Sequence, residues 1–145
     1  MENQSLFIKE FISSRTKEIA DHHRAGAGGF ATCASLTAMM DEALRLAYQQ
    51  LPSQQNNIAI LAIGGYGRGE LAPQSDIDLL FLYRGKENPY IETITETIST
   101  RLWDAKLSVG AATRTIGDAL RVGREDLSTL TSYLDGRFLI GDPAL

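Results

Sequence analysis

The stretch from Ile58 to Tyr83 constrains the fold most, because an apolar strand runs into a glycine turn and a second apolar strand follows it. The first strand is read over Ile58–Ile63, and the turn opens at Gly64-Gly65. Residues 66 to 75 then lead to Asp76-Ile77-Asp78, at the head of a second strand that runs to Tyr83. Side chains alternate along a strand, so Asp76 and Asp78 point to one side while Ile77 and Leu79 enter a core. Two neighbouring carboxylates repel unless a cation lies between them. Hard oxygen ligands of this kind suit Mg²⁺, which takes few carboxylates and completes its shell with substrate phosphates. Glycines, having no Cβ, let backbone N–H groups come close to an anion. Gly64 and Gly65 as a phosphate cradle, with Asp76 and Asp78 as metal ligands, point to nucleoside triphosphate chemistry.

The order of these residues resembles the nucleotidyltransferase signature of the polymerase-β-like superfamily, where an apolar residue and Gly-Gly or Gly-Ser precede Asp-x-Asp on the next strand. A narrower resemblance rests on Gly64-Gly65-Tyr66-Gly67-Arg68-Gly69-Glu70-Leu71 followed by Ser75-Asp76-Ile77-Asp78-Leu79-Leu80. Leu102-Trp103-Asp104, Val109-Gly110, Thr113-Arg114-Thr115 and Arg137-Phe138-Leu139-Ile140-Gly141-Asp142 extend it to the C-terminus. Together they look like the N-terminal catalytic domain of PII uridylyltransferases. The resemblance implies Mg²⁺-dependent transfer of UMP from UTP to a tyrosine of a PII nitrogen-regulatory protein, with release of pyrophosphate. Adenylyl transfer to a protein or small molecule stays open as an alternative, since nothing in the sequence reads a uracil. So does a nucleotide-binding regulatory module without turnover.

The chain departs from the superfamily in one respect. A third carboxylate usually comes from a later strand, yet the candidate here, Leu107–Thr113, carries none, and Ser108 stands at the first position to inspect. Asp104 and Asp118 fall outside that strand. The family's metal-dependent HD hydrolase domain is not matched either. The chain has 2 His, adjacent in Asp21-His22-His23, and neighbours on a helix face different ways. They are read as surface residues. The family's regulatory ACT domains have no room in 145 residues, so the chain reads as the N-terminal portion of a longer protein or as a stand-alone relative.

Composition narrows the partners. With 14 Lys plus Arg against 18 Asp plus Glu, the net charge of −4 disfavours nucleic acid, whose binding relies on basic patches. A hydrophobic content of 43% and a charged content of 22% fit an ordinary globular domain. No apolar run reaches membrane-spanning length, the polar Met1-Glu2-Asn3-Gln4 start is no signal segment, and the lone Cys33 cannot form an internal disulfide. A cytoplasmic location with no membrane partner is expected.

Along the chain, the expectation is an α+β domain, a small mixed sheet packed by helices. Residues 1–52 form an N-terminal helical segment and 53–145 the nucleotidyltransferase core. Apolar spacing predicts helices over about 5–23 and 32–50, split by Ala25-Gly26-Ala27-Gly28-Gly29, which reads as a connector rather than a phosphate loop. The second helix should bury Leu36, Met39, Met40, Ala43, Leu44 and Ala47. Pro52–Asn57 reads as a turn and Arg84–Pro89 as a loop. A helix over about 90–105 should bury Ile91, Ile94, Ile98 and Leu102, with Trp103 packed at its end. A third strand over 107–113 and helices over about 116–122 and 126–138 complete the reading.

Around the turn, Arg68 can neutralise triphosphate charge or stay solvated, and Ser75 can donate to a phosphate or cap the turn before Asp76. Tyr66 can face a nucleobase or pack. Glu70 receives no role.

Overall fold

The computed structural model describes residues 2–51, 57–86 and 89–145, with the side chains of residues 2–4 left aside. Most of the Pro52–Asn57 turn, and Glu87 and Asn88 of the 84–89 loop, lie outside the described residues. Helices α1 (Glu2–Arg24) and α2 (Gly29–Gln49) precede strand β1 (Ile58–Ala62) and a single helical turn, α3 (Gly64–Gly67). Strand β2 (Ile77–Tyr83), helix α4 (Pro89–Asp104) and strand β3 (Val109–Thr115) follow. Helices α5 (Ile116–Glu125) and α6 (Leu127–Leu134) and strand β4 (Arg137–Gly141) close the chain.

The four strands form one mixed sheet in the order β3-β2-β1-β4. β1 is antiparallel to β2 and to β4, and β2 is parallel to β3. Two interior strands thus flank the glycine turn, and the aspartate strand has a neighbour on each side.

Alternation on β2 sorts its side chains between two cores. Ile77, Leu79, Phe81 and Tyr83 join Ile58, Ile60 and Ala62 of β1 under α1, α2 and α4. Leu80 and Leu82 join Ile63 and Ala119 on the side covered by α5 and α6. Asp78 belongs to this second row. The helices supply the stripes their spacing predicts: every one of the six α2 positions is buried, as are Ile91, Ile94, Ile98 and Leu102 of α4. Each leucine, isoleucine or methionine among them, fully buried, contributes about 1.5–3 kcal/mol. α4 opens on Pro89, which loses no helical hydrogen bond in the first turn. Thr115 caps α5 by accepting from the Asp118 N–H at 3.1 Å, and Asp126 caps α6 by accepting from the Thr129 N–H at 2.8 Å.

Three expectations need correction. Residues 137 and 138, read as the end of a helix, instead open the strand Arg137–Gly141, because α6 stops at Leu134 and the segment pairs with β1 from Ala59↔Gly141 to Ala62↔Arg137. β3 begins two residues later than expected, at Val109, after Lys106 takes a left-handed turn (φ 64°). Trp103 does not pack into the core: it is 55% exposed, one position beyond the buried Leu102 on α4. Among the described residues, no helix is long and apolar enough to cross a membrane.

Candidate active site

The site is built where β1 ends and β2 and β3 begin. The Ile63 N–H donates to the Asp78 carbonyl at 3.1 Å, so the end of β1 is tied to the backbone of Asp78. On the other side the Ile77 N–H donates to the Ser108 carbonyl at 2.9 Å, and Asp78 lies opposite Gly110 in the parallel register. The Asp78 side chain therefore emerges between two glycines. A Cβ on Gly64 would stand 3.4 Å from Asp78 Oδ2, and one on Gly110 would stand 2.5 Å from Asp78 Oδ1. Gly64 also adopts φ +59°, a conformation that L side chains rarely take.

Asp78 is half-buried and Asp76, just before the strand, is exposed. Burial, and then the charge of Asp76, hold the Asp78 carboxyl above the usual carboxylate range. A cation beside the pair would relieve both effects at once. Two neighbouring carboxylates, with open backbone next to them, fit a hard divalent ion. Nucleotidyltransferase domains in general use divalent metals. Among the described residues there is no group of three or more His, Cys, Asp or Glu placed to hold one.

β3 carries no acidic side chain, and the structure gives a physical reason at one position: a side chain at residue 110 would displace the Asp78 carboxylate, since its Cβ would stand 2.5 Å from Asp78 Oδ1. Asp104 instead accepts from the Ser5 hydroxyl at 2.6 Å, and Asp118 accepts from the Thr115 hydroxyl at 2.7 Å.

The glycine turn is a single helical turn rather than an open loop. Gly65 keeps free space around it: a Cβ there would find Arg68 Nη2 nearest, at 3.7 Å. Arg68 is half exposed and ion-paired with Asp135 at 2.5 Å and Glu70 at 3.2 Å. The Ser75 hydroxyl donates to the Ala72 carbonyl at 2.9 Å, which closes the turn ahead of Asp76. Tyr66 packs inward, 1% exposed, and its hydroxyl donates to Asp41 Oδ1 at 2.7 Å. Burial and Asp41 push its phenol far above the usual range, so it stays protonated. His22 and His23 are exposed.

Residues to which the sequence reading gave no role surround the turn. Asp41 and Arg137 grip it from behind, Asp135 pairs with Arg68 at its end, and Gly110 makes room for Asp78. A glycine inside a strand signals close approach of another group, and that signal was available for Gly110.

Residues 44–121 match the family model described as "Nucleotidyltransferase domain". The chain is 44% identical over 143 residues to a bifunctional uridylyltransferase/uridylyl-removing enzyme of Cereibacter sphaeroides, covering 95% of this chain and 15% of that protein. It is 40% identical over 129 residues to the protein of the same name from Phenylobacterium zucineum, covering 83% of this chain and 14% of that one. The chain thus spans about one seventh of the length of these curated relatives. The four-stranded mixed sheet packed by helices is consistent with a polymerase-β-like fold.

Proposed function

The chain belongs to the nucleotidyltransferase domain family, and on that premise we propose that it transfers UMP from UTP to a tyrosine hydroxyl of a PII signalling protein. The observation that supports this reading most is the Asp76–Asp78 pair at the mouth of a glycine turn, with Gly64 and Gly110 leaving the Asp78 carboxylate uncrowded. Asp76 and Asp78 would hold Mg²⁺. When bound, the ion supplies charge neutralisation at the α-phosphoryl group and the departing pyrophosphate. Gly64 and Gly65 present backbone to the triphosphate without a Cβ in the way. Arg68 and Ser75 lie on the same loop; each would exchange its present partner, Asp135 or the Ala72 carbonyl, for a phosphate oxygen.

In the reaction the tyrosine oxygen bonds to the α-phosphorus while the bond from that phosphorus to the bridging oxygen breaks, and pyrophosphate leaves with the electron pair. The phenol, with an ordinary pKa of about 10, has to lose its proton along the way. β3 offers no carboxylate for that task, and this favours a second reading, a module that binds nucleotide without turning it over. Incorporation of labelled UMP into a PII protein, with and without divalent ions, tests the first reading. UTP binding with no pyrophosphate released in the full-length protein would favour the second. Calorimetry with UTP and ATP side by side reads the base preference.

A further inference from the structure

A half-sheltered polar cluster lies behind the glycine turn. Arg137, at the start of β4, donates to both carboxylate oxygens of Asp41 on α2, from Nη1 to Oδ2 at 2.7 Å and from Nη2 to Oδ1 at 3.1 Å. The same guanidinium donates from Nε to the Gly67 carbonyl at 3.2 Å and from Nη2 to the Tyr66 carbonyl at 3.2 Å. Its Cζ also lies 5.4 Å from the centre of the Tyr66 ring, while the Tyr66 hydroxyl closes the circle on Asp41. Asp41 is 12% exposed on its side chain and Arg137 34%, so the pair is sheltered from solvent.

Two features set this cluster apart from ordinary structural pairing. Its donors end on the carbonyls of Tyr66 and Gly67, the last residues of the same helical turn that begins at Gly64 beside Asp78. It also ties together three segments distant in sequence, α2, the turn and β4, at the point where the turn has least freedom. At Gly67 a Cβ would run into the Asp135 carbonyl and stand 2.9 Å from that of Ala62. A fork of five donors in one plane is the group able to satisfy a carboxylate and two carbonyls together, and a lysine ammonium is not.

We infer that Arg137 and Asp41 are positioning residues, which hold the Gly64–Gly67 turn from behind in the register that nucleoside triphosphate binding needs. The inference rests on the nucleotidyltransferase reading of the turn. Neither residue touches the substrate; both act through the backbone of Tyr66 and Gly67. The arrangement also makes α2 and the last strand part of the nucleotide site's support.

The test is UTP affinity, measured by calorimetry with Mg²⁺ in the full-length protein, for the parent, Arg137→Lys and Arg137→Met, at a temperature where circular dichroism shows each folded. Arg137→Met is expected to weaken UTP binding at least tenfold. Arg137→Lys keeps a positive charge against Asp41 but loses the fork, and is expected to weaken binding at least threefold. A merely structural role would lower the unfolding midpoint and leave the affinity of the folded protein within twofold of the parent; that result overturns the inference. Should Arg137→Met fail to fold, Arg137→Lys decides by the same threshold. A parent that binds no UTP would overturn the nucleotide reading together with this inference, whereas a binding parent with unaffected variants overturns the inference alone.

Discussion

Gly110 on β3 stands directly across from Asp78 on β2, so close that a methyl group in place of its hydrogen would come within 2.5 Å of Asp78 Oδ1. The atom in the way is the end of a short side chain, which can rotate, so the backbone need not move. Gly110→Ala is therefore expected to fold normally and to turn the Asp78 carboxylate out of place. Mg²⁺-dependent transfer should fall at least tenfold with little change in the unfolding midpoint. Kinetics and thermal melts on the same preparation check both halves.

Asp78 predicts an opposite pair of effects on stability and activity. Its carboxyl is held above the usual range by burial and by Asp76, so the folded protein binds that proton more tightly than the unfolded chain does. Stability from this group is present at acid pH and is lost as pH rises through its raised pKa. At neutral pH without divalent ions, Asp78→Asn should therefore melt higher than the parent. The gain should shrink as pH falls into the carboxylate range, while activity is abolished throughout.

Arg68 separates ligand binding from folding. Its partners Asp135 and Glu70 lie at the surface, where ion pairs add little. Arg68→Met is expected to leave the melting curve unchanged and to weaken UTP binding about tenfold, in keeping with the loss of one charge-assisted phosphate contact. Calorimetry with UTP measures the second effect.

Gly67 gives the contrasting case, in which fold and site fail together. A side chain there meets backbone carbonyls of Asp135 and Ala62, which cannot swing aside. Gly67→Ala should destabilise by about 1–3 kcal/mol, the usual cost of overpacking, as read from urea unfolding.

Local pattern was enough for the elements that carry their own signal. The α2 and α4 stripes and the alternation of β2 follow from spacing within one segment. Arg137–Gly141 did not, because a short apolar run suits helix or strand equally until a partner is known. Its partner β1 lies about eighty residues earlier in the chain. The Gly64–Gly67 turn was legible as glycine-rich but not as helical, since glycine is a poor helix former and the hold comes from Arg137 with its partner Asp41. Trp103 was misplaced for a different reason: its type favours burial, but the α4 face that packs inward is already filled by Ile98 and Leu102. The glycine turn and the aspartate pair were visible as a motif, while the residues that brace the turn become adjacent only in the fold.

The aspartate pair is tested most directly by transfer of label from α-labelled UTP to a PII protein, comparing the full-length parent with Asp78→Asn, with and without Mg²⁺. The expected result is labelled PII protein for the parent with Mg²⁺ alone, and none for the variant even though it stays folded. Mg²⁺-dependent labelling that survives in Asp78→Asn would contradict the assignment.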